Sequence, residues 1–95
     1  MNLTIDAQLL PLGYQKITVL TSAVRLTPPE GAVYALIICE SQPVRWRDDG
    51  TVPTATVGFP LPKDKEFWYV GNLDEIAFIE TTATAAVDIS YYKPK

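Results

Sequence analysis

The sequence predicts an all-β fold: a single-domain antiparallel β-sandwich or jelly-roll-like barrel of about seven or eight short strands, with little or no helix. Three observations predict it. Short segments alternate apolar and polar residues with period two. Turn signals built from Pro, Gly and Asp-Gly recur every ~8–12 residues. No window of about eleven residues carries apolar positions at i, i+3, i+4 and i+7. The chain has 95 residues, 47% of them apolar and 20% charged, the composition of one globular domain. A domain of this size buries roughly two-thirds of its unfolded surface, which supports one core and leaves little room for a deep cleft.

In chain order, residues 1–13 stand apart. Leu9-Leu10-Pro11-Leu12-Gly13 is apolar but interrupted by Pro and Gly, so the segment is either a first edge strand or an arm. The β core is expected over 14–92, with 93–95 as a tail. Ile17 and Val19 alternate with Lys16 and Thr18, and apolar positions follow at Val24 and Leu26. Thr27-Pro28-Pro29-Glu30-Gly31 ends that run, because proline fixes φ and cannot donate to a ladder. The segments Val33 to Cys39 and Ile76 to Ile79 are continuously apolar and read as central strands covered on both faces. Val44 and Trp46 face away from Arg45 and Arg47, and Asp48-Asp49-Gly50 supplies a tight reversal. Pro60-Leu61-Pro62 and Gly71-Asn72 read as breaks around the aromatic strand Phe67-Trp68-Tyr69. The best helical candidate is one turn over Leu73 to Ile76 with Asn72 as its N-cap. The small residues Thr81 to Ala86 form a loop or a flat contact. In the last strand Val87, Ile89 and Tyr91 oppose Asp88, Ser90 and Tyr92.

Composition narrows the chemistry. There is no histidine, which removes an imidazole base, a Ser-His-Asp triad and His-ligated zinc. A net charge of −3 and a pI near 4.7 disfavour nucleic acid, which asks for a basic stripe. No apolar stretch approaches the ~20 residues of a spanning helix, and the first residues lack a signal-peptide pattern; no membrane partner is expected. Cys39, the single cysteine, sits in an apolar run and reads as a small buried hydrophobe. An EF-hand counted from Asp48 meets Gly50 at its third position and Phe59 at its twelfth, so the calcium pattern fails. No metal, no cofactor and no enzymatic activity are expected.

Two clusters are candidates for contacts. Arg45 and Arg47 share a strand face next to Asp48 and Asp49. Their readings are Asx-turn hydrogen bonds with local ion pairs, interface ion pairs, or a small anion site. Phe67-Trp68-Tyr69 places Trp68 on the face opposite Phe67 and Tyr69, so at least one large ring reaches the surface as a protein contact or a sugar-stacking platform. Asn72 and Asp74 stand close enough in sequence to bond sugar hydroxyls.

The runs Val33-Tyr34-Ala35-Leu36-Ile37-Ile38-Cys39-Glu40, Gln42-Pro43-Val44-Arg45-Trp46-Arg47-Asp48-Asp49-Gly50 and Pro53-Thr54-Ala55-Thr56-Val57-Gly58 resemble a small protein encoded among the virion genes of tailed bacteriophages. Trp68-Tyr69-Val70-Gly71-Asn72-Leu73 and Val87-Asp88-Ile89-Ser90-Tyr91-Tyr92 fit the same pattern, so the likeness covers about residues 18 to 92. It implies a virion structural role, in its most specific form a capsid decoration (cement) protein, made in the host cytoplasm and carried on the capsid surface. It implies a homo-oligomer, with a trimer favoured, bound to the major capsid protein or another virion protein. The same resemblance makes Leu9, Leu10 and Leu12 candidates for an arm on the shell. Arg45, Arg47, Asp48 and Asp49 become interface polar residues, and Trp68 and Tyr69 contact aromatics. The alternative is a carbohydrate- or receptor-binding β-sandwich of a tail or fibre. Gly58 to Gly71 also resembles a cupin-like jelly roll, although the histidines of metal-binding cupins are missing.

Overall fold

The computed structural model describes residues 8–95. Its strands are β1 (Leu9–Ile17), β2 (Val24–Arg25), β3 (Tyr34–Glu40), β4 (Val44–Arg47), β5 (Phe59–Leu61), β6 (Glu66–Val70), β7 (Ala77–Glu80) and β8 (Ala86–Pro94). They form two four-stranded antiparallel sheets, β1-β8-β3-β6 and β2-β7-β4-β5. This order arises from one long folded ribbon. β1 to β4 run out and β5 to β8 run back, so β1 lies on β8, β2 on β7, β3 on β6 and β4 on β5. Wrapping the ribbon sends alternate pairs to opposite sheets, which is jelly-roll topology. The all-β sandwich expected from the sequence is what the chain forms.

The core lies between the sheets. From the first sheet come Ile17, Ala35, Ile37, Cys39, Tyr69, Val87, Ile89 and Tyr91; Val44, Leu61 and Phe78 come from the second, and the connections add Leu20, Leu26, Leu73, Ile76 and Ala85. β3 shows the period-two rule cleanly: Ala35, Ile37 and Cys39 are fully buried, while Tyr34, Leu36, Ile38 and Glu40 are half-exposed. The expectation that both faces of β3 are covered is corrected here, because the second sheet packs on only one side. β7 sits between β2 and β4 and buries both Ala77 and Phe78.

Other boundaries move for identifiable reasons. β1 is one strand through Pro11-Leu12-Gly13, with a register shift between Pro11 and Gly13 that leaves Leu12 out of the ladder. As an edge strand it tolerates proline on its solvent side. The ladder pairs Leu9 with Pro94 and Leu10 with Lys93, so β8 extends into the expected tail. Pro60 lies within β5, also an edge strand, where a break was expected. β1 ends at Ile17: Val19 is 70% exposed, and Leu20 enters the core instead. The Leu73 to Ile76 segment is a turn, with Asp74 N donating to Asn72 Oδ1 at 3.3 Å and Glu75 N to Asn72 O at 3.0 Å. It stays a single turn rather than a helix, with Leu73 and Ile76 both buried in the core.

Phe78 is fully buried at the middle of the second sheet. Phe78→Ala is expected to lower the unfolding free energy by about 3–5 kcal/mol, whereas Val19→Ala at its exposed site changes it by less than ~0.5 kcal/mol. Urea denaturation followed by tryptophan fluorescence separates the two.

Candidate functional site

The arginine–aspartate cluster is divided among separate partners. Arg47 grips Asp49 with two bonds, Nε to Oδ1 at 3.1 Å and Nη2 to Oδ2 at 2.5 Å. That hydrogen bond holds the Asp49 carboxyl below its ordinary pKa and raises that of Arg47. Asp49 Oδ1 also accepts from Thr51 N at 3.3 Å, an Asx-type turn around Gly50, whose φ is +86°. Arg45 instead points its Nη1 to the Gly58 carbonyl at 2.7 Å, and its Nε is buried with no acceptor among the described residues. Asp48 turns the other way and accepts from Tyr69 Oη at 2.7 Å. The two guanidiniums do not converge, so the anion grip is not assembled. Among the described residues no group of three cysteine or carboxylate side chains is placed to hold a metal ion.

The aromatics are drawn together. Trp46, from the inner face of β4, stacks on Phe67 of β6 at 5.1 Å and 16° and tilts against Phe59 of β5 at 4.9 Å. Tyr69 meets Trp46 edge-on at 6.1 Å. These rings line an open groove of about 750 Å³ between the β5 and β6 edges, together with Asp48, Glu66, Trp68 and Val70. Two carboxylates and no cation line it, so it suits neutral or cationic groups. Tyr69 is itself buried, and burial followed by its bond to Asp48 pushes the phenol up to about 12. The sequence reading placed Trp68 and Tyr69 correctly on opposite faces but did not single out Phe59. The signal available was the alternation of Phe59 with Leu61 across Pro60.

The second surface is the outer face of the β1-β8-β3-β6 sheet. The ladders set Tyr14, Ser90, Leu36 and Trp68 in one row, and Tyr92, Tyr34 and Val70 in the next. A third row is Lys16, Asp88, Ile38 and Glu66. Lys16 bonds Glu40 at 3.1 Å, and Tyr14 donates to Asp88, so the charges collect at one end. Trp68 tilts against Tyr92 at 5.3 Å at the other. Tyr34, Leu36, Ile38, Trp68 and Tyr92 are all half-exposed.

Leu9, Leu10 and Leu12 lie in β1 and pair along β8 or bulge beside it, with Leu12 packed on the core and Leu10 38% exposed. The part of the candidate arm before Gln8 lies outside the described residues. Cys39 is buried and donates to the Gln42 carbonyl at 2.9 Å, and burial pushes its thiol up to about 11.

Comparison with known proteins finds no match: no family model fits the chain, and no curated protein or solved structure is similar to it. The jelly-roll assignment rests on the strand order.

Gly58 has φ +140°, and a Cβ there would lie 3.1 Å from both Pro53 Cβ and the Trp46 carbonyl. Gly58→Ala is expected to cost about 1–3 kcal/mol in urea denaturation. The raised acids also give stability a sign in alkali. Cys39 moves from 9.0 to about 11, and Tyr69 and Tyr91 move from 10.0 to about 12. Below pH 9 all three are protonated in both states and their contribution is complete. Above it the unfolded chain releases protons first, so stability falls until the folded groups ionise near pH 11–12. The urea midpoint should be flat through neutral pH and fall from about pH 9. Tyr69→Phe should start lower and fall less steeply above pH 10.

Proposed function

We propose that this chain is a non-enzymatic structural protein of a tailed-phage virion, a decoration (cement) protein that coats the head shell as an oligomer. The outer face of β1-β8-β3-β6 carries the reading. An antiparallel sheet with one face on a core usually turns a polar face to water. Here Tyr34, Leu36, Ile38, Trp68 and Tyr92 stand half-exposed on it, and Val70 is 39% exposed. Contiguous apolar surface rimmed by charge is suited to lie on another protein. The resemblance of the residue runs to a virion protein favours the shell as that partner. The polar groups support a contact role as well, since the arginines and aspartates are spent on local bonds and do not converge on a point where a reacting atom would sit.

The groove between β5 and β6 favours a second reading, a glycan-binding module. Trp46, Phe59 and Phe67 offer ring faces, and Asp48 and Glu66 could accept sugar hydroxyls. Tyr69, buried and bonded to Asp48, is not available to it.

Purified chain mixed with expanded phage shells should co-sediment with them. Leu36→Lys should weaken that binding at least ~10-fold with the circular dichroism spectrum unchanged. A chain that stays monomeric by light scattering and does not bind expanded shells would sink the decoration reading. Quenching of tryptophan fluorescence by oligosaccharides would move the assignment to the groove.

A further inference from the structure

A sandwich of two sheets has four edges, and three of them are guarded. β1 carries Pro11, a register shift between Pro11 and Gly13, and Lys16. β2 is two residues long, and β5 is three residues with Pro60 at its centre. Short edges, prolines, bulges and lysines are the devices that keep strands from pairing with other chains. Within its five residues β6 has none of them; the lysines Lys63 and Lys65, and the irregular step at Asp64 (φ +64°) where Asp64 N and Lys65 O both bond Cys39, stand just before it. It is a five-residue strand, Glu66-Phe67-Trp68-Tyr69-Val70, with no proline, no bulge and one charge at its start. β3 pairs with one side of it, and its other side is the edge of the sheet. The aromatic groove opens along that free side.

We propose that β6 pairs with β6 of a second copy of this chain, antiparallel about a two-fold axis through Trp68, joining the two β1-β8-β3-β6 sheets into one. The inference deepens the oligomeric part of the decoration reading and rests on it for its biological setting. Pairing about Trp68 keeps each face matched. Trp68 meets its own copy on the outer face, and Phe67 meets the second copy's Tyr69 on the inner face. The groove rings, including Phe59 at 60% exposed, are then enclosed between the two copies.

Charge selects this arrangement. Antiparallel pairing sets Glu66 opposite Val70, so no carboxylate in the strand faces another. It brings Lys63 and Lys65, which precede β6 with Asp64 between them, toward the turn that holds Asp74 in the other copy, where Glu75 is already paired with Arg25 at 4.0 Å. All but Glu75 of these flanking residues are exposed. Parallel pairing would set Glu66 beside Glu66 and lysine beside lysine. A surface complementary to itself about a two-fold is the form a closed dimer requires.

Sedimentation of the full chain over a concentration series tests this. The wild-type chain should form a dimer that dissociates on dilution. Trp68→Lys and Trp68→Glu should each raise the dissociation constant at least ~100-fold by setting like charges across the axis, with the fold retained by circular dichroism. Mixing the two variants in equal amounts should restore the dimer, because lysine then faces glutamate. Val70→Glu, at a site already 39% exposed, sets two carboxylates opposite each other and should give the same loss. The proposal is overturned by a wild type that stays monomeric, by a trimer, by association that Trp68→Lys leaves intact, or by a mixture of variants that stays monomeric. A monomeric wild type whose fluorescence is quenched by oligosaccharides overturns it in favour of a glycan. Shell binding is scored separately. A dimer that ignores expanded shells leaves this inference standing and removes the decoration reading, and a monomer that coats them does the reverse.

Discussion

The register between β3 and β8 is the constraint on which the remaining structure depends. These are the two central strands of the first sheet. Their ladder sets Ile37 against Ile89, Ala35 against Tyr91 and Cys39 against Val87 on the inner face. All six side chains are fully buried or nearly so. Burying an aliphatic side chain of this size contributes about 1.5–3 kcal/mol, while a slip of one residue would reverse every position in a strand. The inner row therefore fixes the outer row, and Tyr34, Leu36 and Ile38 are carried outward with Tyr92, Ser90 and Asp88. β1 reads its register from the far side of β8, where Tyr91 Oη donates to Gln15 Oε1 at 2.6 Å.

The second sheet lacks such a ladder. Its strands run two, four, three and four residues, too short to hold their pairing without help. The connections supply it. Thr81 donates to the Pro43 carbonyl through both N and Oγ1 at 3.0 Å, and Glu80 N reaches Leu20 O at 3.0 Å. Arg25 Nη2 donates to Gly50 O at 3.1 Å. Arg45 belongs to this set: its bond to Gly58 ties β4 to the loop ahead of β5. A guanidinium whose buried Nε has no acceptor among the described residues is an expensive brace. It stands where the alternative would be a loose edge strand beside Trp46.

What the sequence made legible follows from the same division. Strands whose inner face is packed advertise it by alternation, which is why Val87-Asp88-Ile89-Ser90-Tyr91-Tyr92 and Val44-Arg45-Trp46-Arg47 could be read residue by residue. The Asp49–Gly50 turn was legible because its chemistry is local. Edge strands were legible only in part: β6 reads as an aromatic strand and the first residues as an edge strand or an arm, while β5 reads as a break. Pro11, Gly13 and Pro60 look like breaks in any reading based on propensity, because the rule that excludes proline from strands assumes a neighbour on both sides. Loss of β5 as a strand also concealed Phe59, and with it the stacked set of Trp46, Phe59 and Phe67. Non-local bonds such as Tyr69 to Asp48 and Arg45 to Gly58 leave no periodic trace in the sequence at all.

The apolar outer face and the unguarded β6 edge meet at Trp68 and Val70, and their coincidence constrains how the chain can be used. A chain of 95 residues with a single cysteine has no intrachain disulfide to add to its core, and domains of this size hold only a small margin of stability. Surface that is costly to leave in water becomes a source of stability when it is covered. The edges at β1, β2 and β5 carry prolines, a bulge or very short strands, and β6 carries none of these within its five residues. Both features lie on the first sheet, whose register is the most firmly fixed, while the second sheet is braced by loops and presents Arg45 and Arg47 already bound. A sheet with apolar surface on one outer face and one open edge can add neighbours without changing its own packing. The jelly roll provides such a sheet whenever its central strands, here β3 and β8, are long enough to hold the register alone.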